Sequence, residues 1–231
     1  TATCPGASNI DISLDDQDDT ADLGGVTTGA RPWIRGGAGS DTLTGTPGSD
    51  ILYGDAGNDT ISGGAGDDQV SGGLGDDSIA LGDGTDSVDG DGGSDAIDGG
   101  PGFDQVAFRS RTAGVTVTIG DGQANDGNAD DGSPGARDDI ADTVEQIQAT
   151  EYSDTITGSG TAEELVGNGG DDTIDGGGGG DDISGGLGDD SLTGGAGQDS
   201  LSGGRGSDTL NTNDALPDVA QCGINADVVN G

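Results

Sequence analysis

Between Gly36 and Ala107 an aliphatic residue returns at every ninth position: Leu43, Leu52, Ile61, Val70, Ile79, Val88, Ile97 and Val106. Two residues before each stands an aspartate: Asp41, Asp50, Asp59, Asp68, Asp77, Asp86, Asp95 and Asp104. Cut into nines, the stretch reads GGAGSDTLT, GTPGSDILY, GDAGNDTIS, GGAGDDQVS, GGLGDDSIA, LGDGTDSVD, GDGGSDAID, GGPGFDQVA. A unit of this length is one supersecondary element that only stacking on its neighbours completes. Positions one to six predict a turn, in which glycines at one, two and four permit positive φ and close backbone approach. Positions seven to nine predict a short strand, with position eight facing one way and seven and nine the other. Two repeats then make an 18-residue coil of strand, turn, strand, turn. The fold class that follows is all-β, a right-handed parallel β-roll with one thin aliphatic core.

The flanks fit this scheme less regularly. In 1–35, Ile10, Ile12 and Leu14 alternate with polar residues as in a half-buried strand, and Ile34 lies nine before Leu43. This segment is expected to cap the first coil, with Trp33 packed over its end. The period stops at Phe108. Across 108–148, Val115, Val117 and Ile119 alternate as a strand, an acidic Gly-rich loop runs from Asp121 to Gly135, and Ile140, Val144 and Ile147 lead back into order. The roll is expected to continue through this insert rather than divide into two. A second array, 149–211, carries Asp154, Glu163, Asp172, Asp181, Asp190, Asp199 and Asp208 at position six, and Ile156, Leu165, Ile174, Ile183, Leu192, Leu201 and Leu210 at position eight. Its second unit, GSGTAEELV, departs from the pattern, and the longer Glu163 side chain is expected to misplace its carboxylate. The end, 212–231, reads as a degenerate coil or cap with Asp218 and Asp227 at position six.

Composition then sharpens the question. Of 231 residues, 28% are hydrophobic and 2% aromatic, 52 are Gly, and the net charge is -39. Such a mixture ordinarily cannot bury enough apolar surface to fold. An ordered backbone ladder is needed, together with something that neutralises the carboxylates. The acidity argues against a nucleic-acid partner, which would be repelled. Lys and His are absent, which excludes a Ser-His-Asp triad, a zinc-histidine site, a P-loop lysine and a Schiff base. Cys4 and Cys222 lie near opposite ends of the chain. A straight roll would hold them roughly 50–60 Å apart, so no bond between them is expected. No apolar run is long enough for a transmembrane segment. No leader is visible and Met is absent, which reads as a mature or trimmed fragment.

The spacing has a chemical consequence. Calcium takes six to eight hard oxygen ligands from carboxylates and carbonyls in forgiving geometry. Gly-rich turns present carbonyls, and the Asp closing each turn adds a carboxylate. Turns on one edge of the roll come from alternate repeats, so Asp41 is matched with Asp59 and Asp50 with Asp68. Asp in Gly-rich turns is often plain turn chemistry, but a stack of such residues without cations would repel itself.

The GG-x-G-x-D turns, each followed by a single aliphatic, resemble the RTX (repeats-in-toxin) calcium-binding nonapeptide family. The resemblance covers 36–107 and 149–211. It implies Ca2+ held by Asp carboxylates and main-chain oxygens, around Gly36 and Ala38 in the first unit. The metal ligands expected are Asp41, Asp50, Asp59, Asp68, Asp77, Asp86, Asp95, Asp104, Asp154, Asp172, Asp181, Asp190, Asp199 and Asp208, with about eleven ions in all. Binding and folding should then be one event. The resemblance also implies secretion. The chain is expected to be a monomeric, non-enzymatic protein with a structural, display or adhesion role.

An EF-hand at Asp126, Asn128 and Asp130 fails, because Asp131 replaces the required Gly and Arg137 the bidentate Glu. Asp121–Asp131 is expected to be a solvated loop. The chain could serve as an accessory or secretion module of an extracellular enzyme or toxin. Ice or surface binding could use Thr155, Thr157, Thr173, Ser191, Thr193 and Thr209, but Asp175 and Asn211 break this row and the first array lacks an equivalent, so a plain exposed polar face is expected.

Overall fold

The computed structural model describes residues 10–27, 29, 31–128, 137–212, 214 and 216–231. Every regular element among them is a strand, so no helix is long and apolar enough to cross a membrane. An eleven-stranded parallel sheet runs the length of the molecule, from Asp11–Ser13 to Val219–Gln221. Two six-stranded parallel sheets lie opposite, one spanning the first array and one the second. Successive strands of a sheet come from alternate repeats, as in Leu52↔Val70↔Val88 and Leu43↔Ile61↔Ile79. The chain is therefore a parallel β-solenoid with 18-residue coils.

The position-eight aliphatics of both arrays are all buried and form one cluster, reaching from Ala21 and Ile34 to Leu201 and Leu210. Each such side chain contributes about 1.5–3 kcal/mol on burial. Several strands run longer than three residues. Ile51–Ala56 and Gln69–Leu74 carry the ladder into the turn, pairing Asp55 with Gly73 and Ala56 with Leu74. Left-handed backbone at position two makes this possible, because the chain bends without leaving the ladder. Gly64, Gly73, Gly82 and Gly186 have φ between 104° and 114° there, and three of the non-Gly occupants, Asp55, Asp91 and Asn168, have φ of 67–73°, a region that Asp and Asn tolerate.

The roll is continuous through the insert. The long sheet passes from Gln105–Ala107 to Gln146–Gln148 to Glu164–Gly169 without a gap. On the opposite side Ala96–Asp98 pairs with Asp139–Ile140, whereas Thr155–Thr157 pairs with Thr116–Thr118. The Gly120 N–H donates to the Ile140 carbonyl at 2.8 Å, and the Asp126 carboxylate accepts from Thr118 N–H at 2.6 Å and Ile140 N–H at 3.1 Å. The insert thus supplies an end strand to each six-stranded sheet, Asp139–Ile140 to the first and Thr116–Thr118 to the second.

Several expectations are corrected. Residues 10–27 do not merely cover the stack. They form a coil of it, with Ile12 paired to Ile34 and Ala21 to Leu43. Trp33 does not pack over the end. Position seven points outward, so Trp33 is 45% exposed, beside Tyr53 at 6.1 Å and Arg35 at 6.0 Å. The Asp121–Asp131 loop is not simply solvated: Asp126 is 1% and Asn128 6% exposed, while 129–136 lie outside the described residues. At the far end, Leu201↔Ala220 and Leu210↔Val229 add a last coil, which leaves Val228 and Val229 about half exposed. Cys222 is exposed, and Cys4 lies outside the described residues.

Candidate metal centres in the stacked turns

The position-six aspartates form two columns, one along each edge of the solenoid. Because alternate repeats stack, the Asp41 N–H donates to Asp59 Oδ1 and the Asp59 N–H to Asp77 Oδ1, both at 2.8 Å. The Asp77 N–H continues to Asp95 Oδ1 at 2.9 Å. The other edge links Asp50 to Asp68, Asp68 to Asp86 and Asp86 to Asp104 in the same way. The second array repeats this from Asp154 through Asp172 and Asp190 to Asp208, and from Glu163 through Asp181 to Asp199. All fourteen aspartates expected from the sequence lie in these columns, each 0–3% exposed.

One carboxylate oxygen is thus engaged by the neighbouring turn. The other is not. Oδ2 of Asp41, Asp59, Asp68, Asp77, Asp86, Asp95, Asp104, Asp172, Asp181, Asp190, Asp199 and Asp208 is buried and accepts no hydrogen bond. A buried acceptor left alone costs about 1–3 kcal/mol, and more if charged. Beside it lies the glycine of position one, whose φ is ordinary but whose missing side chain leaves a gap. A Cβ on Gly36, Gly54 or Gly63 would come within 3.0 Å of the Oδ2 of its own turn and of a main-chain carbonyl of the next turn on that edge, from Gly54, Gly72 or Leu81 respectively. An open carboxylate oxygen and a carbonyl oxygen therefore face the same small cradle, a hard-oxygen donor set with no protein donor, suited to calcium.

Electrostatics point the same way. Burial, aided by the neighbouring carboxylates of the column, pushes Asp68, Asp77, Asp104, Asp172 and Asp181 up to about 7 and Asp95 up to about 8. Without a cation these groups hold protons far above the usual carboxylate range. Among the described residues no three acidic side chains converge on one point. The alternate matching of Asp41 with Asp59 therefore runs through a backbone N–H, and each cradle combines one open carboxylate oxygen with carbonyls.

Two expected ligands differ from the rest. Asp50 Oδ2 accepts the Thr46 N–H, and Asp50 Oδ1 accepts the Thr46 hydroxyl at 2.9 Å. Asp154 likewise accepts the Thr150 N–H at 2.9 Å and its hydroxyl. Glu163 stays in its column, 4% exposed, with one oxygen engaged by Ser159 and Thr161 and Oε2 open. Two further members escaped the sequence reading. Asp138 accepts the Asp95 N–H at 3.1 Å and Glu145 the Asp104 N–H at 2.8 Å. Both stand two residues before a buried isoleucine, Ile140 and Ile147. That signature was present, without the preceding glycines.

No curated protein matches the chain. The model of the RTX calcium-binding nonapeptide repeat matches at 35–70, 44–79, 71–106, 141–174, 157–192 and 175–210. These segments make up more than half of the sequence and contain every expected aspartate. The chain belongs to the RTX calcium-binding nonapeptide-repeat family.

Proposed function

We propose that this protein is an extracellular, non-enzymatic calcium-binding solenoid that folds on the ion and serves a structural, display or adhesion role. The observation that carries the reading is the repeated buried Oδ2 without a donor, from Asp41 to Asp208. Ca2+ in each cradle would supply the missing partner and offset the column charge. Extracellular modules of this kind work with millimolar calcium, and magnesium, which demands octahedral geometry and holds its water, is a poor replacement. About eleven ions follow from pairing alternate turns, a count that includes the Asp50 and Asp154 turns. An accessory role beside an enzyme or toxin would use the same folding step.

Circular dichroism during a calcium titration of metal-stripped protein tests this. Strand content should rise with calcium and not with equal magnesium. Full strand content in chelator at neutral pH overturns the coupled-folding reading.

One observation favours a second reading, a surface-binding face. The register aligns Thr20, Thr42, Thr60 and Ser78 on the first six-stranded sheet. It aligns Thr116, Thr155, Thr173, Ser191 and Thr209 on the second. Contrary to the expectation that it lacks one, the first array therefore has a hydroxyl row, Thr42, Thr60 and Ser78, which Thr20 extends. Thermal hysteresis with calcium present is the test; none at high protein concentration ends the ice-binding form of this idea.

A further inference from the structure

The calcium reading assigns a cation to every carboxylate left open, and three carboxylates in the columns, of Asp50, Asp138 and Asp154, do not fit that description. The Asp138 carboxylate is 0% exposed and accepts the Asp95 N–H as its column requires, but its Oδ2 lies 3.3 Å from Arg111 Nη2. The Arg111 side chain is 2% exposed, 5.5 Å over the Phe108 ring and 3.7 Å from Asp89. A guanidinium cation stands where Asp41, Asp59, Asp77 and Asp95 present a bare oxygen.

The other two turns carry threonine at position two. A β-branched residue is a genuine outlier in the left-handed region, and neither Thr46 nor Thr150 adopts it. In a regular turn the position-two N–H stays in the ladder, as when Gly82 donates to the Gly99 carbonyl at 3.0 Å. Thr46 and Thr150 instead turn their N–H groups inward, onto Asp50 and Asp154. Each hydroxyl follows onto the same carboxylate.

We propose that these three carboxylates, of Asp50, Asp138 and Asp154, are engaged by the chain's own donors, Thr46, Arg111 and Thr150, in place of calcium, and that the joint around the insert therefore stands without the ion. One of the three, Asp138 with Arg111, lies within the insert and one, Asp154 with Thr150, just after it, and within the insert Asp126 also has both oxygens engaged, by Thr118 and Ile140. The same stretch has the thickest apolar core, including Phe108, Val115, Val117, Ile119, Val144 and Ile147. It also holds Arg109, Arg111 and Arg137, half of the six arginines in the chain. This inference rests on the calcium reading of the arrays.

Hydrogen exchange with mass spectrometry on the full chain separates the two ideas. In chelator at neutral pH, amides of Val115, Thr118, Gly120 and Ile140 should stay at least about tenfold more protected than those of 51–106 and 173–210. Uniform loss of protection refutes the inference while leaving calcium-dependent folding intact. Uniform retention refutes calcium-dependent folding of the arrays. Arg111→Gln should remove the joint's chelator-resistant protection, and unchanged protection counts against Arg111. Thr46→Gly lies outside the joint and tests the mechanism independently. A glycine at position two should open the turn, so equilibrium dialysis should find about one more calcium per chain; an unchanged count overturns the role given to Thr46.

Discussion

Asp68→Asn should change stability in opposite directions with and without calcium. Asp68 is 1% exposed, and its Oδ1 accepts the Asp50 N–H at 2.8 Å. Its own N–H donates to Asp86 Oδ1 at 2.7 Å. Asparagine has the same shape, so its carbonyl oxygen keeps the first bond and the backbone keeps the second. The change falls on Oδ2, which faces the Leu81 carbonyl across the Gly63 cradle with no donor. An amide NH2 there turns an unsatisfied acceptor into a donor beside an acceptor. It also removes a carboxylate that burial and its neighbours Asp86 and Asp50 push up to about 7. The metal-free fold should therefore gain about 1–3 kcal/mol, the usual cost of an unsatisfied buried polar group.

With calcium the sign reverses. The substitution removes the one charged oxygen of the cradle, and an ion present at 100 times its Kd stabilises by about 2.7 kcal/mol. Losing it should lower the thermal midpoint by roughly 5–10 °C for a chain of this size. Circular dichroism follows both arms. In chelator, trimethylamine N-oxide brings the metal-free chain into the folding range, and Asp68→Asn should fold at lower osmolyte than the parent. In saturating calcium it should melt earlier. A variant that needs more osmolyte in chelator, or melts unchanged in calcium, refutes the assignment of the cradle.

Two further tests probe the same geometry. Gly63→Ala places a methyl within 3.0 Å of both Asp68 Oδ2 and the Leu81 carbonyl at an ordinary φ, so it should cost about one ion in equilibrium dialysis. Gly160→Ala, with open space around it, should cost none, and equal losses from the two would count against the cradle. The metal-free fold should also weaken as pH rises. Asp77, Asp104, Asp172 and Asp181 titrate near 7 and Asp95 near 8 in the fold, against about 3.9 in the unfolded chain. The fold binds more protons, so this stability is fully present below about pH 4 and is lost as pH rises through 7 to 8, by at most about 1.4 kcal/mol per carboxylate per pH unit. Strand content in chelator that grows between pH 5 and pH 8 would contradict this.

The aliphatic at position eight was legible because nothing competes with it. One apolar residue in nine has a single place to go, and Leu43 through Leu210 are all buried. The alignment of the aspartates two residues earlier into two columns was legible from the fixed offset, but their near-complete burial was not. The insert was harder, because its order is tertiary. Thr116–Thr118 precedes Asp139–Ile140 in the chain but stacks after it, held by Asp126 and the Gly120–Ile140 bond. Asp138 and Glu145 were missed because their turns lack the glycine signature, although they keep the spacing to Ile140 and Ile147. The hydroxyl row of the first array emerges only when the register sets Thr42 beside Thr60 and Ser78.

Position two separates glycine-type turns from threonine turns, although Ser159, outside the left-handed region, still leaves Glu163 Oε2 open. Glycine, Asp55, Asp91 or Asn168 accepts left-handed backbone there, and the turn leaves a carboxylate oxygen open. Threonine cannot follow, so the same nonapeptide folds its own N–H and hydroxyl onto the aspartate. The two outcomes differ by one side chain and leave position six and position eight untouched, and the repeat pattern alone therefore hides them. Their distribution is uneven. No arginine lies between Arg35 and Arg109, and within that stretch Thr46 alone closes a turn; the joint has Arg111, Thr150 and Asp126 within fifty residues. A solenoid built this way need not depend on calcium equally along its length. Its dependence should be least at the joint, where Arg111 and Thr150 engage the carboxylates, and greatest where left-handed turns stack without interruption from Gly54 to Asp95.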